Sequence, residues 1–228
     1  MSLSVKNLSI IDIHGKVLFS PLSFSIKEGE ILALMGPSGC GKSTLLSAVA
    51  GHISPDFSYA GEYYLNGVLL NNVAVEKRQI GILFQDDLLF PHLSVWENLA
   101  IALPDKFKKE QRKTVAMQTL RELNLLALAD KAPSQISGGQ RARVSMMRML
   151  LAEPAAVLLD EPFSKLDKAL RSDFRNWVFA QIKKRKLPAL IVTHDESDVP
   201  DTGQCLLWPW NEKQLNPVND TKTKEKQC

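Results

Sequence analysis

Residues 31–50 read ILALMGPSGCGKSTLLSAVA, and their reading decides the fold. Ile31 to Met35 is short and wholly apolar, the pattern of a strand buried on both faces. From about Lys42 the residues suit a helix. Between the two stands Gly36-Pro37-Ser38-Gly39-Cys40-Gly41-Lys42-Ser43, which fits the pattern G-x-x-x-x-G-K-[ST] with a strand before it and a helix after it. Glycines let such a backbone curl until successive N–H groups point inward as an anion nest. The positive helix end adds to that field. Lys42 can reach the β and γ phosphates of a nucleoside triphosphate, and the Ser43 hydroxyl can ligate Mg²⁺. A chance glycine turn before a helix is the plain alternative, and the fit of both flanking elements argues against it. The pattern says nucleoside triphosphate and leaves open what the energy is used for.

Composition bounds the class. A chain of 228 residues makes one large domain or two small lobes, with room for a substantial core. Hydrophobic residues make up 45% and charged residues 23%, the balance of a soluble globular protein. No apolar run approaches the roughly 18–20 residues of a membrane-spanning helix. The N-terminus, MSLSVKNLSI, lacks the basic region and apolar segment of a secretory signal. Cys40, Cys205 and Cys228 show no metal-ligand spacing and suit a reducing, cytoplasmic compartment. A net charge of +3 is too mild to point to nucleic acid or a membrane surface.

Working outward on the N-terminal side, residues 3–8 and 22–26 carry partly alternating apolar positions around a turn marked by Gly15, the signature of antiparallel strands. His14 in that turn can offer a flat face to an adenine ring or be an ordinary hairpin residue. Residues 62–71, EYYLNGVLLN, read as a hairpin turning at Asn66-Gly67. Arg78 to Phe84 reads as a strand ending at Gln85, where an active-site polar group commonly stands; a solvated loop residue is the alternative. The segment 86–97, DDLLFPHLSVWE, is either ordinary core packing or an apolar docking surface for another protein. Ser94 and Glu97 form a capping box that starts a helix at Val95.

Residues 108–129 form an amphipathic helical stretch with a break near Asn124, and the mixed charges at 106–113 read as a solvated face. Ser137-Gly138-Gly139-Gln140 precedes a helix over 141–151, a second place where a helix start can meet an anion. Ala155 to Leu159 is a short apolar strand that runs into Asp160-Glu161-Pro162. An acidic pair at the end of a buried parallel strand suits Mg²⁺ chemistry: Asp160 can hold the ion through water and Glu161 can polarise the attacking water. A helix over 169–186 ends in a basic turn, read as solvated and favoured by the helix dipole. Leu187 to Thr193 is a last buried strand ending at His194, whose neutral imidazole can read a γ-phosphate. Residues 205–207 suit an edge strand, and the polar tail from 211 reads as frayed.

Together these residues resemble the ATP-binding subunits of ABC transporters. The likeness runs over roughly residues 3–207 and rests on GPSGCGKST at 36–44, FQDDLLFPHLSVWEN at 84–98, ISGGQRAR at 136–143 and VLLDEP at 157–162, followed by His194. ISGGQ together with the phosphate turn is highly specific. LFPHLSVWEN is similar to the bacterial import ATPases of the polyamine, sulfate, thiamine and ferric-iron group. The resemblance implies an α/β P-loop NTPase with a parallel-sheet core, an N-terminal antiparallel β subdomain and an inserted helical subdomain at about 90–150. The ATP-binding domain would cover 1–210, with a flexible tail at 211–228. ATP and Mg²⁺ are the implied ligands, held by the turn from Gly36 through Thr44.

On the same resemblance Gln85 senses Mg²⁺ and the transmembrane partner, and His194 is the switch histidine. Ser137, Gly138, Gly139 and Gln140 contact a γ-phosphate held by a second subunit, and Asp167 links the two sites. It implies a homodimer enclosing two ATP molecules, integral membrane permease subunits, an extracytoplasmic solute-binding protein and no nucleic acid. The place implied is the cytoplasmic face of a bacterial inner membrane. An export or lipoprotein-release ATPase shares the chemistry and differs in partner. DNA-repair, chromosome-organising and translation ATPases need long inserts or a second cassette that this chain lacks, and a P-loop kinase leaves ISGGQ unexplained. The chain departs from the family pattern at His14, where an aromatic stacks on adenine, at Ile136 for Leu, and at Lys165, where a small residue is usual. Added charge at Lys165 can slow dimer closure or find an acidic partner. The regulatory C-terminal domain of several import relatives finds no room.

Overall fold

The computed structural model describes residues 1–201, 203–210 and 216–217, the last two and 168–169 as backbone only. The chain divides into two compact units. The first comprises Met1–Ile82, Ala155–Glu161 and Arg175–Cys228, the second Leu83–Pro154 and Pro162–Phe174.

In the first unit, β1 (Ser2–Asp12), β2 (Leu22–Lys27), β4 (Phe57–Leu65) and β5 (Val68–Leu69) make an antiparallel sheet in the order β2-β1-β4-β5. Strand β1 buries Leu3 and Val5, then Leu8 and Ile10. That step from 5 to 8 breaks strict alternation, and the register with β2 and β4 shifts there, with Asn7 at φ 50°. The irregularity keeps all four apolar side chains on the core face. Opposite it only glycine fits: a Cβ on Gly61, at φ +117°, would stand 2.8 Å from Leu8 Cα and the Lys6 carbonyl. The hairpin at Asn66-Gly67 forms as the sequence indicates, with both residues at positive φ and Leu65 paired to Val68.

The second sheet of this α/β fold has the order β10-β9-β3-β8-β7-β6. Its strands are β3 (Ile31–Met35), β6 (Ile80–Leu83), β7 (Ala156–Asp160), β8 (Ala189–Thr193), β9 (Gln204–Leu207) and β10 (Asn216–Pro217). Every residue of β3, β7 and β8 is buried, as expected of parallel strands covered on both faces. They pair in parallel, with Ile31 opposite Ala189 and Val157 opposite Ala189. Helix α1 (Lys42–Ala50) follows β3, and its Leu45, Leu46 and Val49 share one core with Leu34, Leu158, Val192 and Trp210. Strand β9 is not the edge expected of it, because β10 pairs with it in antiparallel register. The rest of the tail lies outside the described residues. Strand β6 is shorter than 78–84. Gln79 takes φ 55°, and Arg78 is buried, donating to the carbonyls of Val73 and Val49.

The second unit holds α2 (Val95–Ala100), α3 (Lys109–Glu122) and α4 (Gly138–Leu151). Ser94 and Glu97 cap α2 reciprocally, as their spacing indicates. Helix α3 stops before Asn124, which takes the left-handed φ of 59°. Helix α4 begins three residues earlier than its apolar pattern suggests, because Ser137 and Gln140 form a capping box. The long helix α5 (Lys168–Lys184) follows. Among the described residues no helix is long and apolar enough to cross a membrane.

Asn98 fixes the segment that precedes α2. It is fully buried, accepts from Phe90 N–H, and donates to the carbonyls of Phe90, Leu93 and Ser94. Asn98→Leu removes those partners and strands buried backbone groups, at a cost of about 2–3 kcal/mol. Urea denaturation of the variant should show that loss, and hydrogen exchange should rise at 88–94.

Candidate functional site

The phosphate turn is built by what its helix lacks. Gly41, the N-cap of α1, is left-handed at φ 95°; no side chain caps the helix and no acid stands in its first turn. Most helix starts take a Ser, Thr or Asp for that purpose. Here the N–H groups are left for an external acceptor, and a phosphate is a good one. A Cβ at Gly41 would meet Leu18 Cδ1 at 3.3 Å, a tight contact, and the positive φ itself favours glycine. Lys42 is buried, and its Nζ donates to the carbonyls of Gly36 and Pro37, both at 2.9 Å. An ammonium has three donors, so one remains for an anion. The Cys40 sulfur packs close to Gly36. Burial pushes its thiol pKa up, against the pull of Lys42.

The acidic side comes from the ends of β7 and β8. Asp160 is the last residue of β7 and 8% exposed. Burial raises its pKa; a hydrogen bond with Ser43 lowers it, Glu161 raises it and Lys42 lowers it, in falling order of weight. A buried carboxylate joined to a helix-start hydroxyl is a hard-oxygen donor pair short of countercharge, and it fits Mg²⁺. Glu161 follows at φ 45°, a conformation costly for a non-glycine residue, while its N–H donates to Val192. One of its carboxylate oxygens lies 2.9 Å from His194 Nδ1. The residues around His194 are tied down. Asp195 N–H donates to Thr193 Oγ1, and Thr193 Oγ1 lies 3.1 Å from a carboxylate oxygen of the buried Asp198. The first unit therefore brings the turn 36–44, Asp160, Glu161 and His194 onto one framework. His14 is exposed in its turn, where Asp12 Oδ1 accepts from the N–H groups of His14 and Lys16.

Gln85, the ISGGQ stretch and Asp167 belong to the second unit. Gln85 is exposed just past β6. Ser137 is exposed at the start of α4, its Oγ accepting from Gln140 N–H while the Gln140 side-chain oxygen accepts from Ser137 N–H. Gly139 passes under Leu166, which would stand 3.0 Å from an added Cβ. Asp167 accepts from Leu170 N–H and so caps α5. Lys165 has acidic partners within its own chain, 3.1 Å from Asp86 and 3.9 Å from Asp87. Arg141 reaches Asp87 from α4 at 3.1 Å, and Ser145 donates to the Asp87 carbonyl. The two residues after Gln85 are thus tied to the start of α4 and to the turn before Asp167.

Some residues at the turn gave no sequence signal. Leu18 and Phe19 border Gly41, and Trp208 stands at Gly36. Their only hint was an aromatic cluster, LLWPW at 206–210, in an otherwise fading stretch. A cavity of about 870 Å³ lined by Glu30, Arg175, Phe179, Lys183 and Glu196 opens at the start of β3, the other end of that strand from the turn.

Comparison with known proteins agrees with this geometry. A family profile described as ABC transporter matches residues 19–164. An uncharacterised ABC transporter ATP-binding protein of Escherichia coli K12, YnjD, is 45% identical over 211 residues, 92% of this chain and 97% of the relative. The Fe(3+) ions import ATP-binding protein FbpC of Haemophilus influenzae is 40% identical over 86% of this chain, and the sulfate/thiosulfate import ATP-binding protein CysA of Acinetobacter baylyi 38% over 91%. The chain spans only 56% and 59% of those two relatives. Among solved structures, the dimeric ATP-binding cassette MJ0796, in a post-hydrolysis state bound to ADP and Pi, superposes with a TM-score of 0.76 at 26% identity. That match covers 90% of this chain and 93% of the other.

The buried acid gives a signed expectation. An ionised Asp160 costs folding free energy at pH values above its raised native pKa, and the cost disappears as pH falls through that value. Asp160→Asn should therefore raise the stability of the nucleotide-free protein near neutral pH by roughly 1–2 kcal/mol. The gain should shrink on acidification, and the extra stabilisation from Mg²⁺ with ATP should vanish. Urea denaturation across pH, with and without MgATP, measures all three.

Proposed function

The chain belongs to the ABC transporter family of ATP-binding proteins, and from that premise we propose that it is the ATP-hydrolysing subunit of a bacterial importer of a small solute. The observation that carries the reading is the meeting, in one unit, of an uncapped phosphate-turn helix with Asp160, Glu161 and His194, Glu161 and His194 being 2.9 Å apart. ATP is the substrate. The N–H groups of the turn and the Lys42 ammonium bind its phosphates. Ser43 and Asp160 would hold Mg²⁺, which would supply neutralising charge at the phosphates, and the family resemblance gives Gln85 a Mg²⁺-sensing role. Glu161 accepts a proton from the attacking water, and His194, whose Nδ1 lies 2.9 Å from Glu161, is the residue that reads the γ-phosphate. His14, exposed in its turn, can offer a flat face to the adenine.

Ser137, Gly138, Gly139 and Gln140 at the start of α4 face a γ-phosphate bound by a second copy, with Asp167 linking the two sites in a head-to-tail homodimer. The dimeric MJ0796 structure supports that arrangement. The names of the iron and sulfate relatives support import, and 45% identity over nearly the whole of YnjD supports placing the chain beside that ATPase. Permease subunits dock on the 84–98 segment, where Leu88 and Phe90 are exposed at 57% and 42%. A solute-binding protein outside the membrane completes the system. The ATPase sits peripherally on the cytoplasmic face of the inner membrane, in keeping with the lack of a spanning helix among the described residues.

Glu161→Gln should keep ATP affinity, slow hydrolysis by roughly 100-fold or more, and shift the protein to a dimer on gel filtration with ATP. A monomer at every ATP and protein concentration would refute the trapped dimer. In membranes, the tagged Glu161→Gln protein should co-purify a polytopic membrane protein. Leu88→Asp with Phe90→Asp should abolish that capture while leaving ATP affinity unchanged.

A further inference from the structure

The last residue of β3 carries an unusual load. The Met35 carbonyl accepts from Trp208 N–H at 2.9 Å and from the indole Nε1–H of Trp210 at 2.8 Å. A carbonyl oxygen has two lone pairs, and here both are engaged where the chain leaves the strand for the phosphate turn. Trp210 is 1% exposed. Its ring meets Trp208 edge to face at 4.9 Å and Phe19 at 5.3 Å between centroids. The cluster reaches both ends of the turn. A Cβ at Gly36 would stand 3.1 Å from Trp208 Cβ, and one at Gly41 would stand 3.6 Å from Phe19 Cδ1. One aromatic assembly therefore lies beside the glycine that opens the phosphate turn and the glycine that closes it.

We propose that Phe19, Trp208 and Trp210 are positioning residues that brace the phosphate turn and hold it in its triphosphate-binding shape. The inference rests on the reading that residues 36–44 bind ATP. A turn with two glycines at positive φ and no side-chain cap has many alternative conformations. Apparent affinity falls by the fraction of time the binding shape is occupied. The indole hydrogen bond and the edge-to-face rings restrict the turn through its backbone, and none of the three side chains is assigned a phosphate contact. Phosphate binding then carries less of the ordering cost.

The test is Trp210→Phe, which keeps an aromatic ring while deleting the indole donor and part of the packing volume, alongside Trp208→Leu and Phe19→Leu. Trp208 is only half-buried, so its variant remains informative if Trp210→Phe fails to fold. Titration with a fluorescent ATP analogue and steady-state hydrolysis are run well below each melting temperature. The expected result is a Kd and KM for ATP raised about fivefold to tenfold, the scale of one net hydrogen bond, with kcat within about twofold. A lowered melting temperature with unchanged Kd and KM in the folded variants would overturn the brace and leave a packing role alone. Wild-type chain that bound no nucleotide would overturn the ATP reading, and the brace with it.

Discussion

Parallel pairing of β3 with β8, and of β8 with β7, is the constraint on which the chemistry depends. Met35 lies opposite Thr193, and Asp160 opposite Val192. That register puts three strand ends at one edge of the sheet, and the phosphate turn, the acidic pair and His194 each begin there. None of the three needs a long loop to find the others. A one-residue slip of any strand would turn its inward side chains outward and separate the groups. The wholly buried apolar faces of ILALM, AVLLD and ALIVT therefore set the distance between Glu161 and His194 as firmly as those two side chains do.

The same edge concentrates features a stability-optimised protein would avoid. Asp160 is a buried acid, Glu161 sits at positive φ, and α1 starts without a cap. Each is unfavourable for folding alone, and each stands where the proposed chemistry needs it. Such sites persist where the surroundings over-determine them. Here the surroundings are the apolar core shared by β3, β7, β8 and α1, together with the hydrogen bonds that fix the backbone from Thr193 to Asp198.

Much of this was legible in the sequence because the signals are local. The phosphate turn, the Ser94 and Ser137 caps, the Asn66-Gly67 hairpin and the acidic strand end each depend on residues within a few positions of one another. The resemblance to ABC ATPases tied them together, and the comparisons bear out the family and the fold. What stayed hidden depends on distant contacts. Trp210 lies 175 residues from Met35 in the chain, and no periodicity announces such a pairing. Lys165 reads as an added charge able to slow dimer closure or find an acidic partner, and which partner stays hidden because Asp86 and Asp87 lie far upstream. The early start of β4 at Phe57 and the pairing of β10 with β9 likewise come from partners in the sheet, not from local pattern.

The way Asn98 holds the 88–94 segment has an evolutionary consequence. All of its contacts there are with main-chain atoms, the N–H of Phe90 and the carbonyls of Phe90, Leu93 and Ser94. An anchor that recognises only backbone does not itself read the side chains at 88, 90 or 92, all of which are exposed. The frame can stay fixed while those positions drift. On the permease docking proposed for 84–98, one ATPase scaffold can be re-addressed by substitutions at such surface positions.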